Sequence, residues 1–150
     1  MTETLRALVL GTSALGLALA WLAVGAASID VTSPNRLVAE LRLAQFSALL
    51  LTFTAGTYVG LAVAHADVTS AGLDIALAIG FLVIGAIATT WAPSRALTAI
   101  ALAWGAHGLI DLAHIADVLP ADIAPAWYST ACAIYDVGIS GLCYLPVLRR

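Results

Sequence analysis

Lysine is absent from the chain, and its six basic residues are all arginine: Arg6, Arg36, Arg42, Arg95, Arg149 and Arg150. Charged residues of every kind make up 10% of the 150 positions, whereas an ordinary soluble domain carries about 25%. A soluble domain cannot clothe its surface with so little charge. That excludes a free-standing cytosolic enzyme and a disordered tail. Without a clustered basic surface, a nucleic-acid binder is excluded too. Arg149-Arg150 alone falls short of the roughly 4–8 adjacent basic residues that hold a polybasic segment on anionic lipid. Cysteine is scarce. Cys132 and Cys143 lie in one expected helix, roughly 16 Å apart along its axis, and cannot bridge each other.

What is present is long apolar sequence, 62% hydrophobic overall. A helix needs about 20 apolar residues to cross the roughly 30 Å hydrocarbon layer. Five segments qualify, at residues 5–27, 37–64, 73–90, 96–115 and 126–148. The expected fold is all-α: a polytopic membrane helix bundle with five transmembrane helices in a single domain. The runs are too long, and alternate too little, for β-barrel strands. Helix punctuation marks the breaks. Ser33 before Pro34 is a plausible N-cap, residues 66–72 form a polar turn, Ser94 is the expected cap of the fourth helix, and Pro125 opens the fifth.

Five spans put the termini on opposite sides. Arg36, Arg42, Arg95, Arg149 and Arg150 collect on one side; Arg6 is alone on the other, with Glu3, Asp67, Asp74, Asp117 and Asp122. The positive-inside rule then places the N-terminus out and the C-terminus in. A rival reading takes Arg6, the first apolar run and Gly25-Ala26-Ala27 as a cleaved secretory signal. Cleavage would move every remaining arginine-bearing loop outside, which the arginine bias opposes.

At roughly 100° per residue, polar residues fall into stripes. Trp104, His107, Asp111 and His114 share one face of the fourth span. Ser129, Cys132, Asp136, Ser140 and Cys143 share a face of the fifth, and Ser47, Thr54, Tyr58 and His65 a face of the second. Spans two, four and five are therefore expected to line a polar interior, with one and three peripheral. Gly56 and Gly60 offer a small-xxx-small face for close helix contact, and Glu40 and Arg42 are expected to be solvated at the inner interface. His107 and Asp136 lie roughly 12–15 Å below the outer ends of their spans. A carboxylate at that depth costs about 2.5–3.5 kcal/mol or more, so Asp111 and Asp136 must face inward and find partners, with His107 and His114 nearest to hand.

His and Asp are also ligands for transition metals. His107 with Asp111, or Asp111 with His114, can share an ion. Asp136 is the natural ligand from the facing helix at the deeper site, and His65 at the outer one. The expected metal set is thus His107, Asp111, His114, Asp136 and His65, around Zn or Fe. Asp111 and Asp136 are the candidate catalytic carboxylates. Trp104, Tyr58, Cys132 and Tyr128 are the candidate substrate-lining residues. Haem is not expected, because it needs two histidines at equal depth facing one cavity. The competing reading is that the acids and histidines simply lock the helices together.

The stretch Trp104-Gly-Ala-His107-Gly-Leu-Ile-Asp111-Leu-Ala-His114, followed by Pro125-Ala-Trp127 and Cys132-Ala-Ile-Tyr-Asp136, resembles a pattern in small uncharacterised bacterial polytopic membrane proteins: W-x-x-H-G-x-x-D-x-x-H, then C-x-x-x-D. The resemblance covers the last third of the chain. It implies that His107, Asp111, His114 and Asp136 act as one unit, and it implies no activity. The stripe is also similar, by analogy alone, to membrane hydrolases that bind zinc through three His and an Asp.

The expected function is an outward-opening intramembrane His/Asp site that binds metal, with chemistry on a lipid or other apolar substrate. The alternatives are a proton or small-solute transporter and a non-catalytic subunit of a larger membrane complex. The partners expected are membrane lipid and either a second copy or a larger membrane complex. The location expected is the cell membrane, as a multi-pass protein of the bacterial inner membrane.

Overall fold

The computed structural model of the chain describes residues 3–65, 72–119 and 126–150. The described residues form five α-helices: α1 (Glu3–Ser28), α2 (Pro34–His65), α3 (Gly72–Ala88), α4 (Pro93–Ile115) and α5 (Ala126–Leu148). They match the five apolar segments to within a few residues at each end. Four of them, α1, α2, α4 and α5, are long and apolar enough to cross a membrane, and α3 is a shorter apolar helix. The turn read at residues 66–71, and Pro125 ahead of α5, lie outside the described residues.

Local chemistry sets the boundaries. Asp30 accepts both the N–H (2.8 Å) and the hydroxyl of Thr32, closing the α1–α2 turn. These bonds hold the Asp30 carboxyl below its ordinary range. Ser33 Oγ accepts the N–H of Asn35 at 3.3 Å, as its place before Pro34 predicts. The start of α4 differs from expectation. Its N-cap is Ala92, with no side-chain cap, and Ser94 lies within the first turn. Pro93 has no N–H to cap, and its fixed φ suits the first helical position.

α4 against α5 is the most extensive helix pair, followed by α2 against α3; α1 packs on α5 and α2, and α3 also meets α4. Glycine permits two of these approaches. A Cβ on Gly108 would stand 3.3 Å from Asp136 Cβ and 3.4 Å from the Ala133 carbonyl of α5. On Gly85 it would stand 2.8 Å from Thr52 Oγ1 and 3.1 Å from the Ala48 carbonyl of α2. Gly56 and Gly60 do not play this role: both are exposed, and nothing lies within 4 Å of where their Cβ atoms would be. They point away from the bundle because Tyr58, on the opposite face of α2, points in.

The bundle exposes large apolar side chains and buries several polar ones within its apolar core. Leu10, Leu17, Leu102, Leu109 and Ile134 are well exposed, while Arg36, Glu40, Ser47, His107, Asp111 and Asp136 are buried. Glu40 corrects another expectation. It is 1% exposed, held by Arg36 Nε at 3.0 Å and by Arg150. The Arg36 guanidinium also donates to the carbonyls of Ile29 (2.7 Å), Pro146 (2.7 Å) and Arg149 (3.4 Å). The C-terminal ends of α1 and α5 converge there, and a cation suits their unpaired carbonyls and dipoles. Periodicity alone could not show this, because the three chain segments meet only in the folded bundle.

Candidate metal centre

The α4 stripe and the α5 stripe face one another, as their periodicity requires, and Gly108 lets them close. His107 Nδ1 lies 2.6 Å from Asp136 Oδ2 across the helix pair and 3.5 Å from Asp111 Oδ2 one turn along its own helix. Asp111 Oδ1 accepts the Tyr58 hydroxyl of α2 at 2.7 Å. His107, Asp111 and Asp136 are all buried, the two carboxylates 1% exposed. One ligand atom from each of the three lies within 4.8 Å of the others, so the group could hold a metal ion. Asp111 Oδ2 has no hydrogen-bond partner.

Charge explains why that oxygen matters. Two carboxylates face one imidazole, and both arginine ion pairs among the described residues sit on Glu40, at the other end of the bundle. With both acids ionised and His107 protonated, one negative charge is left over. An uncompensated buried charge is strongly destabilising. A bound cation or an added proton removes the imbalance.

Aromatic rings wall the imidazole. Phe81, Tyr58 and Trp104 meet it edge-on, with centroids at 5.0, 5.5 and 6.3 Å. Trp104 is wholly buried, and its Nε1 has no partner. Tyr128 packs edge-on against Tyr58 at 6.2 Å. Cys132 neighbours Tyr128 within electrostatic reach of Asp111 and Asp136. Below the cluster, Ser140 donates to the Ala101 carbonyl (2.7 Å) and Cys143 to Ser47 Oγ (3.2 Å).

His114 lines one cavity with His107 and Asp111 of its stripe. Its Nε2 also lies 3.2 Å from Asp74 Oδ1 of α3. α3 is therefore not peripheral. It contributes Asp74 and the Phe81 ring, and with α2 and α4 it encloses a small cavity of about 20 Å³. Tyr58, Phe81, His107, Asp111, His114 and Asp74 all line it; of the four expected lining residues, Tyr58 is the one that does. Nothing in the α3 pattern marked it. Its middle is uniformly apolar, and Asp74 read as a loop charge. The side chain of His65, at the end of α2, lies outside the described residues.

In comparisons with known proteins, no family model matches the chain, and neither does any curated protein or solved structure.

Proposed function

We propose that the chain is an integral membrane protein whose His107–Asp111–Asp136 cluster binds one divalent transition cation, Zn or Fe. Five spans, with the N-terminus out and the C-terminus in, agree with the arginines gathered around Glu40 and with the acidic residues at the opposite end. The short α3, 17 residues or about 25 Å, is accommodated by local thinning of the bilayer. The location is the cell membrane, as in the small bacterial proteins the chain resembles, with lipid as its surround.

One observation carries the metal reading: a buried carboxylate oxygen, Asp111 Oδ2, is left without a hydrogen bond while it converges with His107 Nδ1 and Asp136 Oδ2. Ligands bonded to one tetrahedral ion at about 2.0–2.1 Å stand about 3.3 Å apart. The 2.6 Å between His107 and Asp136 is a proton-sharing distance. An ion therefore enters by replacing that proton and parting the two side chains slightly. Tyr58 holds Asp111 in place through its other oxygen. The cavity beside the cluster has about the room of one water, which suits a single water ligand on an ion held by the three side chains. Chemistry on a lipid would have that water activated by the ion, with Asp111 or Asp136 as base, and would need the cavity to widen.

Elemental analysis of protein purified without a histidine tag tests the reading. About one metal per chain, lost in His107→Ala and Asp136→Asn, is expected; metal-free wild type overturns it.

A proton relay is the second reading, favoured by the 2.6 Å contact and by the burial of Glu40. Glu40 supplies an ionisable group in the inner half, where the stripe pattern showed none. Proteoliposome proton flux unchanged by Asp136→Asn removes this reading.

A further inference from the structure

Adjacency in sequence puts two basic residues near the end of the chain, Arg149 and Arg150, too few to hold anionic lipid. The fold adds a third. Arg36 of α2 reaches the carbonyls of Pro146 and Arg149, and Arg150 reaches back to Glu40. Beside these contacts lies a pocket of about 200 Å³, against about 20 Å³ for the cavity at the His107 cluster. It is lined by Val31 and Ser33 of the α1–α2 turn, by Arg36, Leu37 and Glu40 of α2, and by Arg150.

We propose that this pocket binds the phosphate headgroup of an anionic phospholipid at the arginine-rich, inner end of the bundle. Its lining carries two guanidiniums against one carboxylate, an excess of positive charge. Glu40 alone would repel an anion, but it is 1% exposed and paired with both arginines. Arg36 is occupied by that carboxylate and three backbone carbonyls, so it frames the pocket. Arg150 is the one with donors to spare. Its side chain is 41% exposed, and among the described residues its guanidinium donates to Glu40 alone. Its other N–H groups form a planar fork that matches phosphate oxygens. The Ser33 hydroxyl, whose oxygen accepts the Asn35 N–H, can donate to the same ligand. The rim selects a lipid over a free anion. Val31 and Leu37 are 54% and 60% exposed, and they offer apolar contact to glycerol and acyl chains that inorganic phosphate cannot use. Basic pockets between helices on the cytoplasmic side are places where acidic headgroups bind. The proposal needs the membrane reading of the chain and is independent of the metal cluster.

Native mass spectrometry of the full chain in detergent tests it, with separate titrations of dioctanoyl phosphatidylglycerol and dioctanoyl phosphatidylcholine. The acyl chains match, so a difference reports the headgroup. The first phosphatidylglycerol is expected to bind about fivefold more tightly or better, the scale of one basic residue near anionic lipid. Arg150→Gln removes the spare donors. Leu37→Glu sets an acid on the exposed rim and leaves every arginine in place. Each is expected to bring phosphatidylglycerol down to the level of phosphatidylcholine. Equal affinities for the two lipids in the wild type overturn the proposal. So does a preference retained in either variant, which would put the lipid elsewhere on the bundle. Should Arg150→Gln weaken the fold at Glu40, Leu37→Glu still decides, because Leu37 is exposed. Inorganic phosphate at the concentration of the lipid is expected to displace nothing. Displacement would make the pocket a free-anion site and overturn the lipid assignment.

Discussion

The two ends of the bundle bury similar ingredients and treat them oppositely. Around Glu40, the buried groups are answered: two arginines, Arg150 of them part-exposed, meet one carboxylate, and Arg36 also donates to three carbonyls. Around His107, two carboxylates share one imidazole, and an oxygen of Asp111 is left over. A saturated cluster holds helices together and leaves a cation nothing to bind. An under-satisfied cluster holds them less well and invites a cation. The difference separates a fastening from a site where burial alone would not.

The largest effect should fall on the fastening. Arg36→Met leaves Glu40 with Arg150 alone and three carbonyls without their donor, and is expected to cost about 3 kcal/mol, read as a fall in the thermal midpoint in detergent. Pairing it with Glu40→Met should recover part of the loss, since the buried carboxylate that lost one of its two arginines goes too. No recovery would mean that the carbonyl contacts, and not the ion pair, dominate that end.

Next come the glycines that let the helices approach. Gly85→Leu drives side-chain atoms into the α2 backbone at Ala48. Gly108→Ala presses on Asp136 and Ala133. Losses of about 1–3 kcal/mol are expected, larger at Gly85, where the obstruction includes backbone. Gly108→Ala should also weaken metal retention, because it pushes Asp136 away from His107. Gly56→Ala and Gly60→Ala should stay within about 0.5 kcal/mol, since both face away from the bundle.

Asp111→Asn sharpens the contrast further. It removes the excess negative charge, so stability should change by no more than about 1 kcal/mol, while bound metal falls to background by elemental analysis. A large stability loss without loss of metal would make Asp111 part of a fastening after all. Tyr58→Phe should cost about 1 kcal/mol, one buried hydrogen bond, and loosen metal binding without abolishing it.

The smallest effect concerns Asp30, in the turn beside Arg36. Its lowered folded pKa means that the Thr32 bonds stabilise the fold at neutral pH, and that this contribution fades as pH falls through the lowered value. Thr32→Val should move the Asp30 titration, followed by NMR, back toward the ordinary carboxylate range.

The five helices and their inward faces were legible from the residue pattern. Both are local properties: an apolar run long enough for a span, and a stripe repeating at the helical period. The same period put His107, Asp111 and Asp136 on inward faces of the fourth and fifth helices; the glycines it marked for close contact, Gly56 and Gly60, face outward, and Gly108 closes the pair instead. The fold agrees on the helices and on the three inward side chains. Local pattern could not say which residues from distant segments would meet. Asp74 and Phe81 came to the site because α3 packs across α2 and α4, although its own sequence is almost featureless. Glu40 went from an expected solvated position to a buried one because Arg36, one turn back on α2, and Arg150, from the far end of the chain, both close on it. His114 met Asp74 as well. Periodicity assigns a side chain to a face of its own helix, and the packing of helices far apart in sequence then decides what that face meets.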